Sequence, residues 1–397
     1  MRVGRTLPPA ASPLYPQDLL AGLKGIFQGY NAVKNLEKDF CKYFQARHCF
    51  LVSSDKAALT LILIKKKKRH PEKDEVLIPA FTCYSVPSAI VRAGLKITLC
   101  DVDPDTFDFD FSQLNTKLKS RKLLCIISTH LFGIPADVDR VKKLTENLAI
   151  PIVEDAAQAL GNQINGRKLG TLGDISLLSL GRGKAFSTVE GGIILINSDE
   201  IAGHLSEMVK KLDRYNYKEV VGLIFYALAL MIFMHPWLFW FPKSLPSLRL
   251  GETIYDPTFK IKKMTGLQAG LASGWEEKLK SFQKDRQSVT GNWLNWLPEK
   301  FLPSRVICKK ISYPIRLPVK IGTEEKTRQI LQQNEKMGLG LSITYPDSIN
   351  RIEPIAKYFQ GQNFPAARQI AKQTITLPIH GFVKTRDQIK ILKIIAG

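Results

Sequence analysis

Lys184 lies in the turn Gly181-Arg182-Gly183-Lys184, Asp155 closes the apolar run that starts at Pro151, and Ser179 closes the apolar run Ile175–Ser179, five places before the lysine. A lysine amine can condense with an aldehyde, a carboxylate can keep a ring nitrogen protonated so that the ring draws electrons, and a hydroxyl can donate to a phosphate. Together these are the demands of pyridoxal 5'-phosphate (PLP). Gly181 and Gly183 allow the tight path that presents the Lys184 amine inward, and Arg182 beside it is expected to lower the amine's pKa and favour the nucleophile. Taken singly, each residue has an ordinary alternative: a solvated lysine, an N-cap at Asp155 for a helix starting at Ala156, a turn serine. Successive strand residues face opposite ways, so of Glu154 and Asp155 only one can meet the ring. Gln158 lies above Asp155 if a helix begins there.

Elements that could position these residues follow a clear rhythm from residue 48 to 197. Short β-rich runs at 49–54, 75–81, 96–103, 123–128, 150–155, 175–180 and 193–197 alternate with helix-like segments at 57–64, 86–93, 111–118 and 138–148. Such alternation predicts an α/β fold with a mainly parallel sheet between helices. Ligands in such sheets bind beyond the carboxyl ends of strands, where Ser53, Ser54, Asp155 and Ser179 fall. A length of 397 residues favours more than one domain. We divide the chain into a large domain (1–214), an apolar insertion (215–250) and a smaller C-terminal domain (251–397). In the last, 262–289 reads as one long helix and 311–319 as a strand.

From Val220 to Phe241 the insertion contains no Asp, Glu, Lys or Arg and is long enough to cross a bilayer. A single crossing would separate Lys184 from the C-terminal domain, and His235-Pro236 interrupts the run. The segment is therefore expected either to lie at a membrane surface, with Trp237, Trp240 and Lys243 at headgroup level, or to pack on its own domain or a partner subunit.

Composition narrows the function classes. The formal charge of +21 calls for acidic partners, yet no nucleic-acid-binding signature is present, and phosphorylated small molecules or anionic lipids account for it as well. The densest basic run, Lys65–His70, reads as a solvated helix end. Cys41, Cys49, Cys83, Cys100, Cys125 and Cys308 are scattered, which favours buried thiols over disulfides or a metal site. No secretory signal is evident, so a cytoplasmic location is expected.

The motifs together resemble the DegT/DnrJ/StrS family of PLP-dependent sugar aminotransferases, of fold type I. The resemblance rests on Val153–Ala159 (VEDAAQA), Ser179, Lys184 and Val189–Gly192, and continues in 76–110, in His130–Asp139, in 262–272 and in Thr374–Gly381. It implies that Lys184 binds the cofactor covalently and moves the proton, that Asp155 pairs with the pyridinium, that Gln158 lies near the ring and that Ser179 binds the phosphate. It also implies a homodimer, glutamate as donor and a nucleotide-linked keto sugar as acceptor. The family's dehydratase branch has histidine in place of the lysine, so Lys184 favours transamination. Five positions in three places depart from the pattern. Asp55 and Lys56 replace the Gly and Thr of the phosphate turn, with Asp55 expected to turn away and Lys56 to compensate. Cys83 replaces a stacking aromatic, with Tyr84 pointing elsewhere. Ile261 and Lys263 replace an Asn and an Arg that reach the partner's phosphate, where Lys263 keeps the charge without the fork. An impaired aminotransferase fold acting as a scaffold, at a membrane through the insertion, is the alternative reading.

Overall fold

The computed structural model describes residues 3–307 and 314–396. Cys308 and the first part of the expected strand at 311–319 lie outside the described residues. Helices α1 (Pro16–Gln28), α2 (Tyr30–Phe44), α3 (Asp55–Arg69), α4 (Ser85–Arg92), α5 (Phe111–Lys117) and α6 (Val138–Thr145) alternate with strands β1 (His48–Val52), β2 (Glu75–Pro79), β3 (Lys96–Cys100), β4 (Leu123–Thr129) and β5 (Ile152–Asp155). A two-residue hairpin, β6 (Gln163–Ile164) and β7 (Arg167–Lys168), precedes β8 (Ile175–Ser179), β9 (Gly192–Ile196) and α7 (Asp199–Lys211).

Seven strands form one sheet in the order β1-β9-β8-β5-β4-β2-β3. Only β9 runs against its neighbours β1 and β8; the other pairs are parallel. The strands are apolar on both faces because helices cover both. Val153, Leu177, Ile194 and Ile196 point into one core, while Ile152, Leu178, Ile193 and Leu195 point into the other. The period of two therefore sends Asp155 to the first core's side and Glu154 to the second.

Helix α8 (Tyr217–Phe233) begins on a capping box between Asn216 and Glu219 and is followed by α9 (Trp240–Lys243). The His235-Pro236 break thus separates a helix from an aromatic stub as expected. Leu223 and Ala227 of α8 pack with Leu14, Val189, Leu267 and Leu271. Among the described residues no helix is long and apolar enough to cross a membrane.

The stretch 262–289 is not one helix. Gly274, at φ +63°, separates α10 (Gly266–Leu271) from α11 (Trp275–Trp296), because a left-handed residue cannot continue a right-handed helix. Helix α10 packs closely on α1, where a Cβ on Gly25 would lie 2.2 Å from the Gly266 carbonyl oxygen. Helix α11 joins the two halves: Trp275, Leu279 and Phe282 enter the second core, while Val289 and Trp293 enter the first. Beyond it, α12 (Ser304–Ile307), α13 (Glu324–Met337), α14 (Glu353–Ala356), α15 (Pro365–Gln373) and α16 (Thr385–Ala396) accompany an antiparallel pair, β10 (Leu317–Lys320) and β11 (Thr374–Leu377).

The basic run is not a wholly solvated helix end. Lys65 and Lys66 are only 7% and 8% exposed, since α3 keeps one side against the sheet to its last turn.

Candidate active site

Asp155 ends β5 and is buried. One carboxylate oxygen accepts the Ala157 N–H at 3.0 Å. No helix starts at Ala156; residues 156–161 are turns, so Asp155 closes a local turn rather than capping a helix. Burial pushes its carboxyl up to about 6, opposed by the Ala157 N–H and the positive charge of Lys184 and reinforced by Asp55. The Lys184 charge also acts on the Cys83 thiol, which burial raises. Asp155, Lys184, Asp55 and Cys83 therefore lie within electrostatic reach of one another near the carboxyl ends of the strands.

Glu154 serves the other face. His130 Nε2 lies 2.7 Å from Glu154 Oε1, and neither side chain is exposed. Glu154 also accepts the N–H groups of Gly170, Leu172 and Gly173 and the Ser176 hydroxyl. Burial would raise its carboxyl, but His130 and these donors outweigh it and hold it below the ordinary glutamate range. His130 Nδ1 accepts the Ala136 N–H at 2.9 Å, which fixes the tautomer that donates from Nε2.

Gln158 reaches the pocket from a turn, without the helix expected beneath it. Its Oε1 accepts the Phe132 N–H at 2.8 Å, and its Nε2 donates to the Tyr345 hydroxyl at 2.8 Å. Both ends being held, its plane is fixed. Tyr345 stands edge-on to Phe81 at 5.3 Å. The segment at Tyr84 is not extended: Tyr84 has helical φ −63° and ψ −12° at the start of α4, its ring stacks on Tyr345 at 6.3 Å, and its hydroxyl donates to the Asp347 carbonyl at 3.0 Å.

Lys184 is half-buried in the turn after β8. Gly183 takes φ +68°, where a side chain would be strained. Arg286, buried on α11, donates to the Ala185 carbonyl at 2.6 Å and to the Lys184 carbonyl at 3.5 Å. Burial lowers its guanidinium to about 10. Arg182 does not stand over the lysine. Its guanidinium lies 4.9 Å from the centre of the Tyr226 ring and donates to that hydroxyl, which ties the turn to α8.

Ser179 is buried at the end of β8, and its Oγ accepts the Gly181 N–H at 3.2 Å. Across from it, Ser54 caps α3 by accepting the Ala57 N–H at 3.1 Å. A Cβ on Gly192 would lie 2.1 Å from the Ser54 carbonyl oxygen, so β9 can approach this turn only as glycine. Asp55 does not turn clear of the pocket: its charge acts on Asp155, and its carboxylate accepts the Lys56 N–H at 2.8 Å. Lys56 does not compensate for it. Its amine lies 3.8 Å from Asp256 and 4.5 Å from the centre of the Phe259 ring. Lys263 bonds the Lys210 carbonyl at 2.6 Å, at the end of α7.

The chain thus brings Asp155, Gln158, Ser179, Lys184 and Asp55 to the carboxyl end of the sheet and directs Lys56 to Asp256 and Phe259, while Lys263, expected at the partner's phosphate, bonds the end of α7. Tyr345 and Arg286 escaped sequence reasoning, since each comes from a segment distant in sequence and carries no motif of its own; His130 heads the His130–Asp139 motif, which by itself assigns it no role.

The ring end of this pocket fits PLP. Asp155 is a buried acid with no cation bonded to it among the described residues, which a protonated ring nitrogen would supply, and a lysine stands within range of its charge. At the phosphate end Ser179 and the first turn of α3 offer donors, although Asp55 holds one amide.

A parallel sheet crossed by a single reversed strand, with an acid and a lysine at its carboxyl edge and a small C-terminal lobe, defines a PLP-dependent transferase fold of type I. Residues 20–396 match the DegT/DnrJ/EryC1/StrS aminotransferase family, and the chain belongs to that family. It is 30% identical over 174 residues to the GDP-4-keto-6-deoxy-D-mannose 3-dehydratase of Yersinia pseudotuberculosis, covering 43% of this chain and 44% of the relative. The chain therefore matches less than half the length of that curated relative. In fold it is similar to PseC of Helicobacter pylori, an aminotransferase of pseudaminic acid biosynthesis (TM-score 0.77, 16% identity, 98% of each chain). It is also similar to the Escherichia coli GDP-4-keto-6-deoxy-D-mannose-3-dehydratase solved with bound hydrated PLP (TM-score 0.76, 17% identity, 99% of this chain and 100% of that one).

Proposed function

We propose that this chain is a PLP-dependent aminotransferase that moves an amino group from glutamate to a keto sugar carried on a nucleotide, for surface polysaccharide or a related glycan. The observation that carries the reading is the placement of Lys184 within charge range of the buried, otherwise unpaired Asp155. Bound PLP would supply an electron sink that stabilises the carbanion. Lys184 would anchor the cofactor and carry the proton at its Nζ. Asp155 would hold the ring nitrogen protonated, Gln158 would border the ring, and Ser179 would donate to the phosphate. A lysine at 184, where the dehydratase branch has histidine, supports transamination over dehydration.

Absorbance in the visible region tests this. Protein mixed with PLP should gain a band that glutamate discharges, and Lys184→Ala should lack it. A wild type that stays colourless and behaves like Lys184→Ala would sink the enzyme reading.

We further infer a cytoplasmic homodimer whose insertion touches the inner face of a membrane through Val220–Phe241. Phe225, Trp237 and Phe241 of this segment are exposed at 67%, 59% and 44%, more apolar surface than a solvated helix needs. Flotation with anionic liposomes should be lost when these three become Ser. Flotation absent in the wild type, or unchanged by the substitutions, removes the membrane contact.

A further inference from the structure

Helix α3 begins beside the candidate active site at Asp55 and delivers Lys65, Lys66 and Arg69 to the opposite edge of the sheet, about 20 Å away at 1.5 Å per residue. There they line a cavity of about 830 Å³ together with Lys142 and Lys143 of α6. We propose that this cavity is a second ligand site, for a small molecule of the nucleoside diphosphate class.

Three observations carry the assignment. The first is charge without a partner. Lys65 and Lys66 are 7% and 8% exposed, yet neither amine has a hydrogen bond or ion pair among the described residues. Asp174, the carboxylate acting on Lys66, spends one oxygen on the Ile152 N–H at 2.7 Å. The stems are buried while the unpaired amines face the cavity, where they present positive charge to an anionic ligand. The second is number: Lys65, Lys66, Lys142 and Lys143 face two carboxylates, Asp174 and Glu146, around the cavity, while Arg69 beside them is held by Glu200 at 3.0 Å. That surplus exceeds what one carboxylate ligand would neutralise and suits a diphosphate. The third is size and lining. A volume in the range of small-molecule pockets is far larger than a phosphate needs, and Ile150, Pro151 and Ile201 give it apolar wall against which a base or sugar can lie.

The cavity is separate from the proposed aminotransferase site, and the inference does not rest on that reading. The two are joined by the sheet. Ile152 and Asp174 at the cavity begin the segments that end in Asp155 and Ser179.

Calorimetric titration of the full chain with UDP, GDP, inorganic diphosphate and uridine tests the assignment. Nucleoside diphosphates should bind at least threefold more tightly than inorganic diphosphate, and uridine should not bind. Lys66→Gln and Lys142→Gln should each weaken the nucleotide at least tenfold, while Lys280→Gln, an exposed α11 control, leaves it unchanged. Thermal melting shows whether each variant folds; should Lys66→Gln fail, Lys142→Gln and Lys143→Gln on the exposed side of α6 carry the test. Nucleotide binding that is absent at millimolar concentration or indifferent to the cavity variants overturns the site. Binding confined to heparin or anionic vesicles does so too, and equal affinity for inorganic diphosphate overturns the nucleoside class.

Discussion

His130 and Glu154 share a 2.7 Å hydrogen bond with no solvent exposure at either side chain, and this pair sits back to back with Asp155, the next residue of β5. One strand thus holds two acids in opposite states. Glu154 is ionised and saturated with donors; Asp155 is raised and waits for a cation.

Removing one member of the buried pair leaves the other's polar groups unmet, and losses of about 3–5 kcal/mol are typical. Glu154→Gln and His130→Phe should both lower the midpoint of denaturant unfolding by that order. Because the Glu154 carboxyl is held below its ordinary value, its stabilisation is present above the unfolded pKa and disappears as pH falls through the native one. Unfolding of Glu154→Gln should therefore converge on wild type in acid. A constant difference across pH would contradict the pairing.

Asp155 has the opposite sign. Its native pKa of about 6 exceeds the ordinary value near 4, so the cofactor-free protein is favoured at low pH and loses stability as pH rises through 6. Cofactor-free Asp155→Asn should be more stable than wild type at pH 7.5, by up to about 3 kcal/mol, while losing amino transfer by at least about 100-fold. Equal melting of the two proteins at pH 7.5 would show that the carboxylate already has a partner.

Arg286 acts on the Lys184 turn through the backbone carbonyls of residues 184 and 185, which makes it a positioning residue. Arg286→Leu should reduce turnover by about 10- to 100-fold with the KM for glutamate little changed. Arg286→Lys, which keeps a donor, should recover part of it. A rise in KM alone would point to direct substrate contact instead.

Val189 takes φ +75°, a strained value for a β-branched residue. Its side chain packs with Leu223 and Ala227 of the insertion. Val189→Ala and Val189→Gly both lose that packing, but only glycine relieves the backbone. Glycine should be the more stable of the two by about 1 kcal/mol, the reverse of the usual order in thermal melts.

The sequence determined the parallel sheet, its reversed last strand's apolar character, and the residues Asp155, Ser179 and Lys184, because strand periodicity and short motifs are local properties. It also determined that Glu154 and Asp155 must part company, since neighbours on a strand face opposite ways. Tertiary structure decided where long side chains go. Arg182 adjoins Lys184 in sequence yet lies over Tyr226 of α8, and Lys56 leaves the phosphate turn for Asp256 and Phe259. Gln158 needed no helix to reach the pocket, because Phe132 and Tyr345 hold it from both ends. The basic run at Lys65 reads in sequence as a solvated tail, and only the packing of α3 on one face of the sheet, with α6 reaching the same edge from the other face, makes it part of a cavity wall. Flexible cations choose their partners from whatever the fold brings within reach, and that choice has no local signature.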